Sequence, residues 1–412
     1  MPEGARRRYA LVGTGDRGLE MYARPLLTTH ADAGDLVGFY DLNPVRAKAA
    51  ASLCLDRVPV FSSFEGMIDG SRPDVVIVTS KDSTHAGYIC AALRAGCDVI
   101  TEKPMTIDAE RCRQILAAVR ETDGDLRVAF NYRYSPVYSE VKRLLSQGEI
   151  GEVLSVDFHW YLDTDHGADY FRRWHRRMAE SGGLFVHKAT HHFDLVNWWL
   201  DDHPAQVTAD GALRFYGPTR AARGERCTGC AQAASCEFHW DVAADDYFRT
   251  LYVEAEAGDG YLRDGCVFDP EIDIYDTMSA IIRYERGAIM TYSLNAYCAE
   301  EGMRVAFNGT RGRLEVEVME SRHLNSDELR LYRFPVAEPE VISVPRTPEG
   351  HGGGDERLQD DLFRGVEEDP LGHAAGVMDG AYSILTGVAA NASVAAGGDW
   401  VAVADLLGGC AP

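Results

Sequence analysis

The sequence predicts an α/β protein in two parts: a doubly wound parallel sheet, then an α+β domain with a large mixed, mostly antiparallel sheet. The first part is predicted by short apolar segments that do not alternate, as expected for strands buried on both faces, with helical patterns between them. The second part is predicted by longer strand-like segments after about residue 150, separated by turn dipeptides such as Arg286-Gly287.

Four apolar segments define the predicted parallel sheet, at residues 9–12, 36–40, 75–78 and 99–100. A helix is predicted after the last of them because apolar residues recur at the i, i+3, i+4 and i+7 positions Cys112, Ile115, Leu116 and Val119. In the second part we predict strands at 153–161, 247–254, 279–284, 289–294 and 313–318. Helices are predicted over about 185–200 and 372–396, while 202–245 and 335–354 are predicted to be irregular.

Composition limits the class of protein. The chain has 412 residues, of which 46% are hydrophobic and 25% charged, which is typical of a globular protein with two or more domains. We place the domains at 1–135 and 136–412, with a Cys-rich insertion at about 210–270 and C-terminal helices that pack back on the body. The net charge of −23 disfavours a nucleic-acid or membrane-surface partner.

The chain carries no recognisable targeting segment. No apolar run approaches the roughly 18 residues of a membrane span. Arg6, Arg7 and Arg8 are not followed by the apolar region of an export signal. We therefore expect a cytoplasmic protein whose cysteines are reduced.

A glycine-rich loop follows the first predicted strand and opens a helix, with the sequence Gly13-Thr14-Gly15-Asp16-Arg17-Gly18. Glycines at this spacing let the chain turn tightly and let a diphosphate approach the backbone N–H groups, as in Rossmann dinucleotide-binding domains. We therefore predict that Gly13, Gly15, Asp16, Arg17 and Gly18 bind a cofactor. The alternative is a glycine turn without a ligand.

Asp41 ends the second predicted strand. A carboxylate at this position accepts hydrogen bonds from the ribose hydroxyls of the adenosine and repels a 2′-phosphate, so NAD is favoured over NADP. Arg46 follows nearby and leaves NADP open as an alternative.

Two further motifs, Asp82-Ser83-Thr84-His85 and Thr101-Glu102-Lys103-Pro104, together with the glycine loop resemble the Gfo/Idh/MocA oxidoreductase family over essentially the whole chain. The resemblance implies that Lys103 faces a substrate hydroxyl beside the nicotinamide, that Pro104 directs it, and that members form homodimers or homotetramers. It also assigns a cofactor-side role to Thr79, His85, Glu102 and Lys103. A lysine at the carboxyl end of a parallel strand could also lower the pKa of a bound hydroxyl, or it could simply be solvated.

The family's second motif, Gly-Gly followed by Asp-x-x-x-His-x-x-Asp, is matched in part at residues 182–194. His191 and Asp194 match the motif, while His187 stands where the family has an aspartate. On a helix these three residues share one face at i, i+4 and i+7. We predict that they are catalytic together with Lys103. A divalent-metal site and a buried structural helix are the alternatives.

Other polar residues are predicted to contact a sugar-like substrate. Aromatic and arginine side chains suit a sugar through stacking and hydrogen bonds. The loop 350–355 is glycine-rich, so it either lets a ligand approach the backbone or is a flexible linker. The predicted substrate-binding residues are Asn131, Arg133, Tyr170, Arg173, His351 and Asp355.

A cysteine cluster lies in the insertion, with the spacing Cys227-x-x-Cys230-x5-Cys236. This spacing allows three thiolates to reach one tetrahedral ion, so we predict a structural zinc. Cys266 is the preferred fourth ligand and His239 the alternative. Free or redox-paired thiols are the competing interpretation.

Together these features predict an NAD-dependent oxidoreductase that transfers a hydride between nicotinamide and a secondary alcohol of a sugar, cyclitol or glycoside. His191 would take the hydroxyl proton and Lys103 would polarise the oxygen. One alternative is redox-assisted glycoside cleavage, in which bound NAD is recycled and His187 drives elimination. Another is a regulator that binds NAD or a sugar without catalysis.

Overall fold

Two β-sheets organise the chain in the computed structural model, which describes residues 6–322, 324–347 and 350–409. The first sheet is parallel, with the strand order β2-β1-β3-β4-β5. Its strands are β1 (Arg7–Val12), β2 (Gly34–Tyr40), β3 (Val75–Val78), β4 (Asp98–Thr101) and β5 (Leu126–Val128). The strand order reverses direction between β1 and β3, so the carboxyl ends of these strands open a crevice of the kind that binds ligands in doubly wound folds.

Helices connect these strands as the sequence predicts: α1 (Asp16–Gly18), α2 (Arg24–Leu27), α3 (Pro44–Leu53), α4 (Phe64–Ser71), α5 (His85–Arg94) and α6 (Ala109–Thr122). A π-helical turn, Leu19–Ala23, joins α1 to α2. Helix α6 begins where the Asp108 side chain accepts a hydrogen bond from the Arg111 N–H group. Its buried face includes Cys112, Ile115 and Leu116, which confirms the predicted apolar stripe.

The second sheet has the order β13-β12-β11-β10-β6-β9-β8-β7-β14. Its strands are β6 (Val153–Asp163), β7 (Pro204–Ala212), β8 (Thr277–Tyr284), β9 (Ile289–Cys298), β10 (Gly302–Gly309), β11 (Gly312–Met319), β12 (Ser326–Arg333), β13 (Glu340–Pro345) and β14 (Val401–Ala402). Strands β6 and β9 pair in parallel. The other pairings of the described strands are antiparallel, so the predicted mixed sheet is confirmed.

The helices of the second part cover this sheet and return to the first. They are α7 (Pro136–Ser146), α8 (Thr164–Arg172), α9 (Met178–Ser181), α10 (Leu184–His187), α11 (Ala189–Leu200), α12 (Asp246–Phe248), α13 (Glu256–Asp259), α14 (Gly350–Arg364), α15 (Val377–Ala395) and α16 (Val403–Leu407). Every residue of α11 is buried, because α11 packs against α7 and α15. Helix α14 packs back on the 3-10 turn Asn131–Tyr134, beside the first sheet.

Three local predictions for the second part are wrong. Segment 247–254 is helical, because the Asp245 side chain accepts hydrogen bonds from the N–H groups of Tyr247 and Phe248 and starts α12, which a π-helical turn continues. Segment 202–245 contains β7, whose proline, aspartate and glycine are uncommon in strands. Segment 335–354 contains β13, a largely exposed edge strand paired with β12.

None of the helices in the described residues combines the length and the apolar character needed to cross a bilayer.

Candidate active site

A cleft of about 630 Å³ lies at the carboxyl ends of the parallel strands. The loops after β1, β2, β3 and β4 form one wall of the cleft. Residues of α8, α10 and α11, together with residues 252–263 of the insertion, form the other. The predicted glycine loop and the predicted histidine helix therefore face the same space.

The glycine loop has the tight geometry that its sequence predicts. Gly13 has a φ of +89°, and a Cβ atom there would lie 2.5 Å from the Ser80 backbone nitrogen. A Cβ atom at Gly18 would lie 2.6 Å from the Gly13 carbonyl oxygen. The Thr79 hydroxyl donates to that oxygen at 2.6 Å, so Thr79 holds the loop in place. Gly15, Asp16, Arg17 and Thr79 line the cleft.

Asp41 lies beside the glycine loop, directly after β2. Its Oδ2 atom accepts a hydrogen bond from the Thr14 N–H group at 2.8 Å, and its Oδ1 atom accepts one from the Asn43 N–H group at 2.8 Å. Arg46 approaches Asp41 at 3.4 Å and Asp259 of α13 more closely, at 2.9 Å. Arg46 is therefore engaged by two carboxylates.

Glu102 connects the end of β4 to the glycine loop. Its Oε1 atom accepts hydrogen bonds from Arg17 Nε at 2.6 Å and from the Tyr22 hydroxyl at 2.9 Å. Burial opposes the charge of Arg17, but Glu102 and Asp355 raise the pKa of its guanidinium above its ordinary value. Glu102 thus holds Arg17 at the wall of the cleft.

Lys103 follows Glu102, and the peptide bond between Lys103 and Pro104 is cis. The Lys103 Nζ atom donates a hydrogen bond to the His187 carbonyl oxygen at 3.2 Å. Burial lowers the pKa of Lys103 to about 8, and the charges of Asp82 and Glu102 act against this shift. The ammonium group is therefore held between the end of the first sheet and α10.

His85 contacts the backbone next to Lys103. Its Nδ1 atom lies 2.9 Å from the Pro104 carbonyl oxygen, and its Nε2 atom lies 3.0 Å from the Ser80 carbonyl oxygen. Burial lowers the pKa of His85. Both ring nitrogens are engaged with backbone, so His85 connects two cleft loops.

His187 forms a short hydrogen bond with a carboxylate from the other wall of the cleft. Its Nδ1 atom lies 2.5 Å from Asp82 Oδ2, and both side chains are buried. Burial, followed by the nearby charge of Lys103, lowers the pKa of His187. Burial raises the pKa of Asp82, against the effect of Lys103. The family's expected aspartate is thus replaced here by a histidine that is paired with an aspartate from a different loop.

His191 lies one turn further along and lines the cleft. Its ring stacks on Tyr132 with centroids 4.3 Å apart, and its Nδ1 atom is buried without a hydrogen-bond partner in the described residues. Burial, then the charges of Lys103 and Lys188, lowers the pKa of His191 well below its ordinary value. These effects favour the neutral imidazole, which has one unprotonated ring nitrogen.

Arg133 and Asp194, predicted as a substrate-binding and a catalytic residue, do not line the cleft. Arg133 donates to both carboxylate oxygens of Asp194, at 2.8 and 2.6 Å. Their side chains are 2% and 1% exposed, respectively. The structure therefore places this pair in the interior, where it joins α11 to the segment after β5.

Tyr170 and Arg173 do reach the cleft, as predicted. The Tyr170 hydroxyl lies 3.0 Å from His166 Nε2, and its ring meets that of His187 edge to face at 5.3 Å. Arg173 pairs with Asp169 at 2.5 Å and lies 3.3 Å from His175 Nε2. These side chains of α8 and the following turn make a polar, aromatic wall opposite Lys103.

Asn131, His351 and Asp355 form a hydrogen-bonded group near Arg17. The Asn131 Nδ2 atom donates to Asp355 Oδ1 at 2.7 Å, and His351 Nδ1 lies 2.8 Å from Asp355 Oδ2. Burial opposes ionisation of Asp355, but His351 and Arg17 hold the pKa of its carboxyl group below its ordinary value. The described part of the loop 350–355 is packed against the cleft.

Many residues that line the cleft were not predicted as site residues, and Lys188 and three residues of the insertion are among them. Lys188 lies 4.5 Å from the centroid of the Trp160 ring and 3.6 Å from Glu301. Tyr252, Tyr261 and Arg263 come from the insertion. Lys188 could have been found from its place inside the histidine motif. The three insertion residues follow no motif, so only the fold reveals them.

The four cysteines Cys227, Cys230, Cys236 and Cys266 line one small pocket, as their predicted grouping requires. In the described parts of the chain, however, no group of three or more His, Cys, Asp and Glu side chains is placed to hold a metal ion. Burial raises the pKa of the Cys227 and Cys266 thiols. The structure does not support the predicted zinc, nor a metal held by the histidine helix.

With this geometry established, comparison with known proteins shows that the chain belongs to the Gfo/Idh/MocA oxidoreductase family. The family's NAD-binding Rossmann fold matches residues 7–130, and its C-terminal alpha/beta domain matches residues 142–403. The protein is accordingly an oxidoreductase with an NAD-binding domain.

Several relatives are similar over much of the chain. YteT of Bacillus subtilis (strain 168), whose name proposes an oxidoreductase, is 40% identical over 94% of this chain and 96% of that protein. Inositol 2-dehydrogenase of Rhizobium meliloti (strain 1021) is 33% identical over 50% of this chain and 58% of that protein. The structure of levoglucosan dehydrogenase in complex with NADH and levoglucosan has a TM-score of 0.70 at 20% identity, covers 97% of this chain and 100% of that chain, and shows a shared fold.

Proposed function

We propose that this oxidoreductase transfers a hydride between NAD and a secondary alcohol of a sugar, cyclitol or glycoside. The observation that carries the proposal is the convergence of Lys103, His187 and His191 in the cleft that the glycine loop opens. The names of the relatives, which include inositol and levoglucosan dehydrogenases, support the substrate class. The aromatic wall with Tyr170 and Trp174 offers surfaces on which a sugar ring can stack.

The residues around the glycine loop fit NAD. When bound, NAD supplies the acceptor for the hydride. The positions of Gly13 and Gly18 leave no room for a Cβ atom, so the backbone between them is free to approach a diphosphate. Asp41 offers its carboxylate to the ribose hydroxyls, and Arg46 is neutralised by Asp41 and Asp259.

Lys103 and His191 have different roles at the substrate hydroxyl. The Lys103 ammonium polarises the oxygen and stabilises negative charge as the proton leaves. His191, held neutral by burial and fixed by stacking on Tyr132, accepts that proton. In the reverse direction protonated His191 would give the proton back to the carbonyl oxygen of the substrate as the hydride arrives, which forms the alcohol.

The test is to screen sugars and cyclitols for NADH formation and then to compare variants on the active substrate. His191→Ala and Lys103→Ala are each expected to lower kcat by about 100-fold or more, while NAD affinity changes little. His203→Ala, an exposed histidine outside the cleft, is the matched control and should behave like the wild-type protein. If His191→Ala were as active as the wild-type protein, the proposed role of His191 as proton acceptor would be wrong.

A second candidate function has one observation in its favour, the His187 and Asp82 pair beside Lys103. A neutral histidine held by a carboxylate is suited to remove a C–H proton next to an oxidised carbon. Oxidation, elimination of the leaving group, addition of water across the resulting double bond and return of the hydride would then hydrolyse a glycoside with NAD recycled. Glycoside cleavage with solvent deuterium entering the product and no net NADH would favour this candidate. Net NADH without deuterium favours the dehydrogenase.

We also propose that the chain forms a homodimer or homotetramer through the uncovered face of the second sheet, and that it works in the cytoplasm. Exposed residues of β8 and β9, including Ile281 and Ile289, lie among polar neighbours on that sheet. Light scattering measures the molar mass of the wild-type protein and of Ile281→Glu, and the substitution is expected to weaken the assembly. A monomeric wild-type protein would contradict the proposed assembly.

A further inference from the structure

Arg263 is a buried arginine of the cleft without an anionic partner. It is 7% exposed, and its Nε atom is buried without a hydrogen-bond partner. In the described parts of the chain, no hydrogen bond or ion pair to its guanidinium is found, although the residue lines the cleft. Its contacts are aromatic: the guanidinium carbon lies 4.1 Å from the centroid of Tyr252 and 4.8 Å from that of Phe248.

The other arginines that line the cleft are paired. Arg17 meets Glu102 at 2.6 Å, Arg46 meets Asp259 at 2.9 Å, and Arg173 meets Asp169 at 2.5 Å. A buried charge without a counter-charge is costly, so such a group is retained where a ligand supplies the opposite charge. The chain has a net charge of −23, so acidic side chains outnumber basic ones, yet none of the described acidic side chains pairs with Arg263.

The position of Arg263 places it next to the glycine loop. Its stacking partner Tyr252 accepts a hydrogen bond from the Asp16 N–H group at 2.8 Å. Arg263 is thus one aromatic ring away from the backbone of the predicted diphosphate-binding loop. A guanidinium stacked on an aromatic ring keeps its N–H groups at the edge, free for a planar or tetrahedral oxyanion.

Arg173, in the turn after α8, lines the same wall of the cleft. Its Nε atom is also buried without a hydrogen-bond partner. Burial raises the pKa of Tyr261 to about 12, and the charges of Arg173 and Arg263 both act against that rise. Arg173, Tyr261 and Arg263 all line the cleft.

The insertion holds Arg263 rigidly. The neighbouring Asp264 accepts a hydrogen bond from the Thr228 N–H group at 2.8 Å and pairs with Arg226 at 2.6 Å. Cys227 and Cys266 add backbone hydrogen bonds on either side, to Asp264 and Glu225. The cysteine cluster is thus hydrogen-bonded to the segment that carries Arg263.

We propose that Arg263, assisted by Arg173, forms an oxyanion-binding subsite that the insertion adds to the cleft. The bound group is a phosphate or carboxylate. Two ligands could carry it: NAD through its diphosphate, or a substrate through an acid group such as that of a uronate sugar. The inference rests on the proposed function to the extent that both ligands enter this cleft, but it is tested by binding, whereas the proposed function is tested by hydride transfer.

The experiment measures binding to wild-type protein, Arg263→Met and Arg263→Lys by calorimetry. One arm compares NAD with adenosine, which lacks the diphosphate. The other arm uses the NAD-loaded protein and compares glucuronate with glucose. Arg220→Met is the matched control, because Arg220 belongs to the same insertion and stacks on Phe268 at 4.0 Å but does not line the cleft.

Loss of the guanidinium is expected to weaken binding of the charged probe by about 10- to 100-fold and to spare its neutral counterpart. A loss for NAD but not adenosine assigns the subsite to the cofactor. A loss for glucuronate but not glucose assigns it to the substrate. Arg263→Lys should lose less than Arg263→Met, and it carries the test if the methionine variant does not fold. Unchanged affinity for both charged probes, or equal losses for charged and neutral probes, would overturn the proposal.

Discussion

Three titratable side chains meet at the centre of the cleft, and burial acts on each of them. It lowers the pKa of Lys103 and of His187 and raises that of Asp82. Burial favours the neutral form of every group it surrounds, whereas the opposite charges nearby favour the ionised forms. The protonation states of these three side chains, and with them the activity, are therefore expected to change with pH.

Lys103 is expected to set the alkaline limit of activity. Its pKa is lowered to about 8, so the ammonium that polarises the substrate is present below pH 8 and is lost as the pH rises through that value. We predict that kcat/KM falls above about pH 8 in wild-type protein. In Lys103→Arg the guanidinium stays charged, so this limb should move to higher pH even if the maximum rate is lower. If kcat/KM of Lys103→Arg still fell above pH 8, the fall would be due to the titration of another group.

Asp41 is expected to select NAD over NADP. Asp41→Ala removes the carboxylate that would bind the ribose hydroxyls and repel a 2′-phosphate, and it leaves Arg46 with one carboxylate partner, Asp259. We predict that the preference for NAD falls by about tenfold or more, as measured by titration with both cofactors. Asp259→Ala is the control, because it removes the other carboxylate of Arg46. An unchanged preference in Asp41→Ala would exclude Asp41 from the selection.

At the scale of elements, the position of the histidines depends on how α15 packs against α10. Gly387 of α15 faces the backbone of α10, and a Cβ atom there would lie 2.2 Å from the Phe185 carbonyl oxygen. The small residue allows the two helices to approach closely. His187 ends α10, so this contact also supports the cleft.

Gly387→Ala is predicted to destabilise the protein by about 1–3 kcal/mol, because the added methyl group must push the helix backbones apart. The measurement is the urea midpoint of unfolding. Gly87→Ala in α5 is the matched control, since no atom lies within 4 Å of the added Cβ. The same substitution should there stabilise the helix by about 0.5–1 kcal/mol. Equal effects at both sites would contradict the packing argument.

At the scale of the whole molecule, Arg133 joins three parts of the chain. It follows β5, pairs with Asp194 of α11 at 2.6 Å, and pairs with Asp379 of α15 at 2.9 Å. Burial raises the pKa of Asp194 to about 6, although Arg133 acts against the rise. The pair thus connects the first sheet to the helices that carry the histidines and cover the second sheet.

Arg133→Met is predicted to cost about 3–5 kcal/mol of stability, because it leaves a buried carboxylate without its partner. Arg133→Met combined with Asp194→Leu should recover a large part of this loss. Arg94→Met, which breaks the exposed pair with Glu121, should cost less than about 1 kcal/mol. Thermal and urea unfolding measure all three. A loss for Arg133→Met no larger than that for Arg94→Met would contradict the role given to the buried pair.

Much of the first half could be predicted because its signals are local. Four of the five parallel strands coincide with short apolar runs, and the glycine loop is recognisable from spacing and from the strand before it. The fifth strand, Leu126–Val128, has an arginine at its centre and was not among the predicted segments. The second half was predicted less well. The strand expected at 247–254 is helical because one aspartate caps it. Strand β7 contains residues that are uncommon in strands, and β13 lies inside a segment whose proline and glycine residues indicated an irregular connection.

The amino-acid sequence was sufficient to predict the fold class and the NAD-binding domain, since these depend on residue type and short spacing. The roles of Lys103, His187 and His191 stay predictions. The contacts of the site depend on residues far apart in the chain, and no local pattern encodes their distances. Asp82 meets His187 across 105 positions, and Tyr252 reaches Asp16 across 236. The fold also moved Arg133 and Asp194 from the predicted site into a buried ion pair, and it brought Arg263 into the cleft. The reason is that burial and charge pairing are set by packing among distant segments, and packing is established only when the whole chain has folded.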